Sequence, residues 1–88
     1  ERIDCDAVLI GVGAAPATAL AADAGLAIDN GVATDERART SDQAIYAAGD
    51  CASWPSRLYG RRLRLESVPN AIEQAKVAGA NMAGGDVV

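Results

Sequence analysis

A short apolar run that ends in a glycine and a carboxylate has the clearest capacity for ligand binding in this 88-residue sequence. The run from Ile45 to Ala48 predicts a short buried strand, and Gly49 and Asp50 follow it directly. Because glycine lacks a side chain, a ligand can approach the backbone closely there. The aspartate can accept hydrogen bonds from two neighbouring hydroxyl groups, such as those of a sugar or sugar alcohol. An isolated Gly-Asp pair is by default a turn cap. Here the preceding residues, Thr40 and the run from Ile45 to Ala48, favour a nucleotide or flavin ligand.

The start of a C-terminal helix is the second candidate. Apolar residues at helical spacing predict the helix, and they are Val68, Ile72, Ala75, Gly79 and Met82. Ser67 offers a capping oxygen, and Pro69 suits the first helical position because its missing N–H would have no partner there. A helix N-terminus carries free N–H groups and about half a unit of positive charge, so it can stabilise an anionic ligand. The alternative is an ordinary capped helix.

Glu66 stands directly before that helix and is the third candidate. Its carboxylate can accept a hydrogen bond from a ligand amide. It can equally form a surface ion pair with Arg64 or Arg62. The sequence does not favour one role over the other.

The fourth candidate is the turn that contains Gly11, Gly13 and Pro16. It follows residues 5–11, a continuous apolar run that predicts a strand buried on both faces of a parallel sheet. The turn is not a dinucleotide fingerprint, because proline stands where the third glycine of GxGxxG belongs. Taken alone, it predicts a tight strand-to-helix turn.

Local signals also predict the elements between these candidates. A short helix is expected at residues 17–24, with Gly25 as its C-terminal cap. Asn30-Gly31, between short strands at 26–28 and 32–34, predicts a β-hairpin. No internal repeat is visible.

Charge separates an acidic first part of the chain from a basic second part. Residues 1–50 carry nine acidic and three basic side chains, whereas residues 51–88 carry three acidic and five basic ones. The difference comes from a predicted loop that contains Arg57, Arg61, Arg62 and Arg64. This basic cluster indicates either a docking patch for an acidic partner or a solvated loop. The pI near 4.5 argues against a nucleic-acid ligand.

The composition limits the chain to one small unit. Half of the residues are hydrophobic but only 3% are aromatic, so small aliphatic side chains must form a thin core. Such a chain suits packing inside something larger, and we expect it to be a piece of a longer protein. Cys5 and Cys51 form no CxxC pair and histidine is absent, so we expect reduced thiols, a cytoplasmic location and no metal site. No segment is long enough for a transmembrane helix.

Two flanking motifs extend the first candidate into a longer pattern. Thr40-Ser41-Asp42 precedes it, and the stretch from Glu66 to Ala71 follows it. Together they resemble the flavin-binding tail of the FAD-dependent pyridine nucleotide-disulfide oxidoreductases, in particular the ferredoxin reductase subgroup that serves bacterial oxygenases. The resemblance implies an α/β, Rossmann-like FAD/NAD(P)-binding fold of which this chain is a fragment. Residues 1–38 would form the C-terminal part of the NAD(P)-binding domain, and residues 39–88 would form the C-terminal segment of the FAD-binding domain. The chain would cross from one domain to the other at residues 35–42.

The same resemblance assigns cofactor-binding roles but no catalytic residue. It implies that Gly49 and Asp50 meet the ribityl chain of FAD, and that Glu66 meets the nicotinamide carboxamide. The helix start at Ser67 and Val68 would meet the pyrimidine end of the flavin ring. The turn residues Gly13 and Pro16 would pass near the nicotinamide and the flavin, and the docking arginines would be Arg57, Arg61 and Arg62.

By resemblance, the function is that of an oxidoreductase that transfers electrons from NADH, with NADPH second, through FAD to a ferredoxin or rubredoxin. Its other partners would be the remaining domains of the parent chain, with no nucleic acid and no membrane. The alternatives are a related flavin-dependent nitrite, peroxide or disulfide reductase, and a non-catalytic nucleotide-binding module. Because the GxGxxG elements of the family are absent, we expect the 88 residues alone to hold FAD poorly and to be inactive.

Overall fold

Three short strands and two helices make up the regular structure of the computed structural model, which describes residues 1–88. In chain order they are α1 (Ala19–Asp23), β1 (Val32–Ala33), β2 (Ala52–Ser56), β3 (Arg61–Leu63) and α2 (Val68–Met82). The strands form one sheet in the order β1-β2-β3. β1 and β2 pair as parallel strands, and β2 and β3 pair as antiparallel strands. This mixed arrangement confirms the predicted α/β class.

The β2–β3 hairpin was not predicted, because Pro55 argues against a strand in the interior of a sheet. β2 nevertheless passes through Pro55, which lies opposite Arg62 of β3. β1 pairs only with Ala52 and Ser53, so β2 has a strand neighbour on one side alone at the proline. A proline is compatible with a strand at such an edge, since no ladder hydrogen bond is needed on the open side.

The predicted hairpin at Asn30-Gly31 forms only as a turn. Ile28 and Val32 make a single antiparallel bridge, and no strand forms at residues 26–28. Val32 continues instead into β1, where its partner is Ala52 of β2. The physical reason is burial: Val32 is 6% exposed beside β2, whereas Ile28 remains 40% exposed.

Residues 5–11 do not form the predicted buried strand. All of them are exposed and none is paired, and Leu9 is 99% exposed. A parallel strand buried on both faces needs neighbouring strands and covering helices. The three strands of this chain pair with one another, so residues 5–11 have neither a neighbouring strand nor a covering helix.

The first helix is shorter than the predicted range of residues 17–24. It spans Ala19–Asp23, and Gly25 ends it with a φ of 80°.

The apolar run at residues 45–48 also does not form a continuous strand. A single antiparallel bridge joins Tyr46 to Arg39, and Ile45 is 38% exposed. The Thr40 N–H donates to the Ile45 carbonyl at 3.0 Å, and the Ala47 N–H donates to the Ala38 carbonyl at 3.0 Å. The run is therefore held against residues 38–40 in a tight loop, which delivers the chain to Gly49.

The C-terminal helix is confirmed as α2, and Ser67 caps it by accepting a hydrogen bond from the Asn70 N–H at 3.3 Å. Val68 is its first residue, so Pro69 occupies the second helical position. Gly84, with a φ of 93°, follows the C-terminal end. Neither helix of the chain is both long and apolar enough to cross a membrane.

The predicted apolar stripe of α2 does not face the interior of this chain. Val68, Ile72 and Met82 are 73%, 50% and 68% exposed. The buried residues of the helix are Ala78 and Asn81. The Asn81 side chain donates to the Arg37 and Val87 carbonyls and accepts from the Val87 N–H. Side-chain hydrogen bonds, rather than apolar bulk, thus select the inward face.

The sheet joins the two segments that the sequence analysis separated at residue 38. β1 lies before that boundary, and its parallel partner β2 lies after it. Arg62 of β3 reinforces the junction, because its guanidinium donates to the Thr34 carbonyl at 2.9 Å and to the Ser53 carbonyl at 2.8 Å. A domain division at residue 38 stays a proposal about the longer protein.

Replacement of Gly31 should destabilise this junction. A Cβ at Gly31 would lie 2.7 Å from the Cys51 carbonyl oxygen, and its φ of 133° disfavours other residues. We expect Gly31→Ala to lower the free energy of unfolding by roughly 1–3 kcal/mol, measured by urea denaturation. Gly79→Ala is the matched control, because nothing lies within 4 Å of its added Cβ and alanine favours the helix. Equal effects of the two substitutions would contradict the steric argument.

Candidate functional site

Three distant stretches of sequence line one cavity of about 290 Å³. The cavity is bounded by residues 14–17, by Asp50 and Cys51, and by Arg64 and Glu66. Larger cavities of about 380 and 330 Å³ surround Trp54, but none of the predicted cofactor-binding residues lines them. We base the candidate site on the smaller cavity, because it collects groups that can bind a polar ligand.

Asp50 presents a free carboxylate at the edge of this cavity. Its side chain is exposed and forms no hydrogen bond within the chain, whereas its backbone carbonyl accepts a hydrogen bond from Arg64 at 3.2 Å. The backbone is thus held and both carboxylate oxygens remain available. They can accept hydrogen bonds from two adjacent hydroxyl groups.

Gly49 connects the Asp50 backbone to α2. Its N–H donates to Gln74 Oε1 at 2.8 Å, and its φ of 85° lies in a region that favours glycine. A Cβ at this position would lie 3.6 Å from the Ala71 Cβ, an ordinary contact. The constraint at Gly49 is therefore the backbone conformation, and the result is that Asp50 is held beside the first turns of α2.

The first turn of α2 retains one amide without a partner in the chain. The Asn70 N–H is capped by Ser67 Oγ, the Ala71 N–H donates to the Ser67 carbonyl at 3.0 Å, and Pro69 has no N–H. The Val68 N–H donates to no acceptor in the chain, and Val68 is exposed. This amide combines a free donor with the positive end of the helix dipole.

Glu66 forms the ion pair that the sequence left open, and its partner is Arg64 rather than Arg62. Arg64 Nη1 lies 2.7 Å from Glu66 Oε1. The Glu66 side chain is 38% exposed, and its second oxygen makes no hydrogen bond within the chain. One oxygen is therefore held in place and the other remains free to accept a hydrogen bond.

Arg64 is the site residue that the sequence analysis did not single out. Only 11% of its side chain is exposed, and its guanidinium also donates to the Ala14 carbonyl at 2.9 Å. Strand alternation is the signal that could have found it: residues two apart on a strand share a face. Arg62 and Arg64 both donate to backbone carbonyls of other stretches, whereas Arg61, which precedes Arg62 in β3, makes no side-chain hydrogen bond within the chain.

Pro16 lines the cavity, and Gly13 precedes the lining residues 14–17. Gly13 has a φ of 96°, and nothing lies within 4 Å of a Cβ built there. The turn therefore needs glycine for its backbone conformation, not for a close contact within the chain.

The three predicted docking arginines have different environments. Arg62 donates to backbone carbonyls inside the sheet junction, and Arg57 makes a two-point ion pair with Glu36. That hydrogen-bonded pairing raises the pKa of Arg57 and lowers the pKa of Glu36 below its ordinary value. Arg61 is exposed and forms neither an ion pair nor a side-chain hydrogen bond within the chain. It is the one member of the three with a free guanidinium.

Comparison with known proteins identifies related sequences and structures. The family model of the pyridine nucleotide-disulphide oxidoreductases matches residues 1–75. Putidaredoxin reductase CamA of Pseudomonas putida is 48% identical over 83 residues, which are 94% of this chain and 20% of that protein. The rubredoxin-NAD(+) reductase of the same organism is 42% identical over 84 residues, 96% of this chain and 22% of that protein.

Among solved structures, the covalent putidaredoxin reductase–putidaredoxin complex has a similar fold. Its TM-score is 0.79 at 47% identity, and the match covers 97% of this chain and 20% of that chain. The chain thus spans about a fifth of the length of the relatives that it matches. The likeness confirms the predicted FAD/NAD(P)-binding fold class, and the chain belongs to the pyridine nucleotide-disulphide oxidoreductase family.

Proposed function

We propose that this chain forms the flavin-facing segment of an FAD-dependent NAD(P)H:ferredoxin reductase, which transfers electrons from NADH through FAD to a ferredoxin or rubredoxin. The observation that carries the proposal is the convergence of Pro16, Asp50 and Glu66, from three stretches of sequence, on one cavity. The names of the relatives, a putidaredoxin reductase and a rubredoxin-NAD(+) reductase, support the same class of reaction.

The polar groups of the site match the functional groups of FAD. A flavin presents hydroxyl donors on its ribityl chain, and the free Asp50 carboxylate supplies acceptors for them. Its pyrimidine end presents carbonyl acceptors, and the free Val68 N–H supplies a donor. Because small-molecule sites span roughly 300–1,000 Å³, the cavity of about 290 Å³ fits as one side of a larger site.

When bound, FAD supplies the redox chemistry that exchanges electron pairs with NADH and single electrons with an iron–sulfur protein. The residues of this chain supply position and charge. Asp50 holds the ribityl hydroxyls. The Val68 N–H and the positive end of α2 stabilise negative charge on the pyrimidine end of the ring.

Glu66 and the turn at Gly13 and Pro16 position the nicotinamide, while Ser67 caps the helix start that faces the flavin. Arg64 holds one oxygen of Glu66, which leaves the other to accept a hydrogen bond from the carboxamide. NADH is proposed as the electron donor because the rubredoxin relative is named for NAD(+).

The electron acceptor is proposed to dock on the basic side of the β2–β3 hairpin. Arg61 offers a free guanidinium there, and Arg57 adds a second one when its pair with Glu36 opens. Arg62 contributes through the shape of the hairpin, because its own donors are occupied. The two cysteines form no disulfide, which supports a reducing compartment, and we propose the cytoplasm.

A visible absorption spectrum of the full-length protein tests the class of function. Flavin bands that bleach on addition of NADH support the reductase. A colourless protein indicates the non-catalytic module instead. Turnover with nitrite, peroxide or a disulfide, and none with a ferredoxin or rubredoxin, indicates the related reductases.

Asp50→Ala should weaken flavin retention in the full-length protein, because the ribityl hydroxyls lose a charged acceptor. We expect the dissociation constant of FAD to rise roughly tenfold to a hundredfold, measured by the flavin left after gel filtration and by titration. Asp23→Ala is the matched control, since it removes an exposed carboxylate from α1, away from the cavity. Unchanged FAD affinity in the Asp50 variant would contradict its assigned role.

Arg61→Glu should weaken docking of the iron–sulfur protein, because it reverses the free charge on the hairpin. At low ionic strength we expect KM for the ferredoxin to rise by roughly tenfold, and added salt should reduce the difference. Reduction of a small neutral dye should stay unchanged. Lys76→Glu, on the exposed side of α2, is the charge-reversal control. If both variants raise KM equally, the hairpin is not the docking surface.

A further inference from the structure

Arg64 is a nearly buried arginine whose guanidinium contacts several stretches of the chain. Nη2 donates to the Ala14 carbonyl at 2.9 Å, and Nη1 donates to Glu66 Oε1 at 2.7 Å. Nη1 also lies 3.2 Å from the Asp50 carbonyl, and Nε lies 3.4 Å from Asn30 Oδ1. A surface arginine rarely meets so many acceptors, since an exposed side chain loses conformational freedom for little gain.

The hydrogen bond from Arg64 to Ala14 holds the first part of the chain in place. No backbone hydrogen bond joins residues 1–17 to the rest of the chain, and the only other side-chain hydrogen bond of that segment is local, between Arg2 and Asp4. Arg64 is therefore the one hydrogen-bonding residue that fixes residues 14–17 against Asp50 and Glu66. Those residues line the same cavity.

The space for the Arg64 side chain is built into the fold. A Cβ at Gly31 would lie 3.1 Å from Arg64 Cδ, so the aliphatic part of the arginine passes over a position without a side chain. Arg62, two residues earlier on the same face, holds the Thr34 and Ser53 carbonyls. One face of β3 and its extension thus carries two arginines that donate to other stretches of the chain, but only Arg64 reaches the cavity.

We propose that Arg64 is a positioning residue for the nicotinamide: it holds the turn at residues 14–17 and the Glu66 carboxylate at a set separation across the cavity. The inference rests on the proposed function, because that function places the nicotinamide between Glu66 and the turn that contains Pro16. Arg64 is not a catalytic residue, since it acts through Ala14 and Glu66. Asp50 depends less on it, because the preceding Gly49 N–H is held independently by Gln74.

The geometry requires arginine rather than lysine. A guanidinium is planar and carries five N–H donors, so Nη1 and Nη2 can reach acceptors on two sides at once. An ammonium is a single charged centre that can pair with Glu66 but cannot also reach across to Ala14. Arg64→Lys therefore keeps the charge and removes the bridge.

Arg64→Lys in the full-length protein tests this role. We expect FAD content to stay at the wild-type level while KM for NADH rises roughly tenfold with little change in kcat, because positioning of the nicotinamide is lost. The dissociation constant of NAD⁺, followed by perturbation of the flavin spectrum without turnover, should rise by a similar factor.

Glu66→Gln tests whether the effect of Arg64→Lys on KM depends on the Glu66 carboxylate. If Arg64 acts partly through Glu66, the double variant of Arg64→Lys and Glu66→Gln raises KM by less than the product of the single effects. Multiplicative effects would overturn the inference, because Arg64 would then act independently of Glu66.

The remaining outcomes also decide the question. Wild-type KM and NAD⁺ affinity in Arg64→Lys overturn the positioning role while the proposed function stands. A lower melting temperature with loss of FAD from both Arg64→Lys and Arg64→Gln would make Arg64 a structural residue, which also overturns it. A wild-type protein that binds no flavin would refute the proposed function itself, before any variant is compared.

Discussion

The site depends on the interaction of one guanidinium with acceptors from distant parts of the chain. Arg64 contacts Ala14, Asp50 and Glu66, and its bond to Ala14 is the one hydrogen bond between residues 14–17 and the other two stretches. A buried cation is stable only when charge and hydrogen-bond acceptors surround it. The hydrogen bonds that satisfy Arg64 therefore hold residues 14–17 and Glu66 on either side of the cavity.

The second constraint is the junction between Gly49 and α2. The Gly49 N–H is accepted by Gln74, while Ser67 and Pro69 account for the first amides of the helix except that of Val68. A free carboxylate at Asp50 and a free amide at Val68 thus lie on two rigid elements that are tied to each other. Rigid attachment lowers the entropic cost of binding, because the polar groups need little reordering when a ligand arrives.

The arginines of the hairpin show how one residue type acquires three roles. Alternation along β3 turns Arg62 into the sheet junction and leaves Arg61 in solvent, and Arg64 continues the inward face into the cavity. Their number and clustering could be counted in the sequence, but their separate roles could not. The same limit applies to the apolar stripe of α2, which is exposed here because the inward face is selected by the hydrogen bonds of Gln74 and Asn81.

The sequence by itself determined the local features: the family pattern, the glycine before Asp50, the cap at Ser67 and the extent of α2. Each of these depends on neighbouring residues, since caps, turns and helical periodicity act over a few positions. Only the tertiary structure decided that β1 pairs with β2, that residues 5–11 remain unpaired and that Arg64 joins Ala14 to Glu66. These contacts link residues up to 50 positions apart, and which distant groups meet is set by the burial and hydrogen bonding of the whole chain rather than by any local signal.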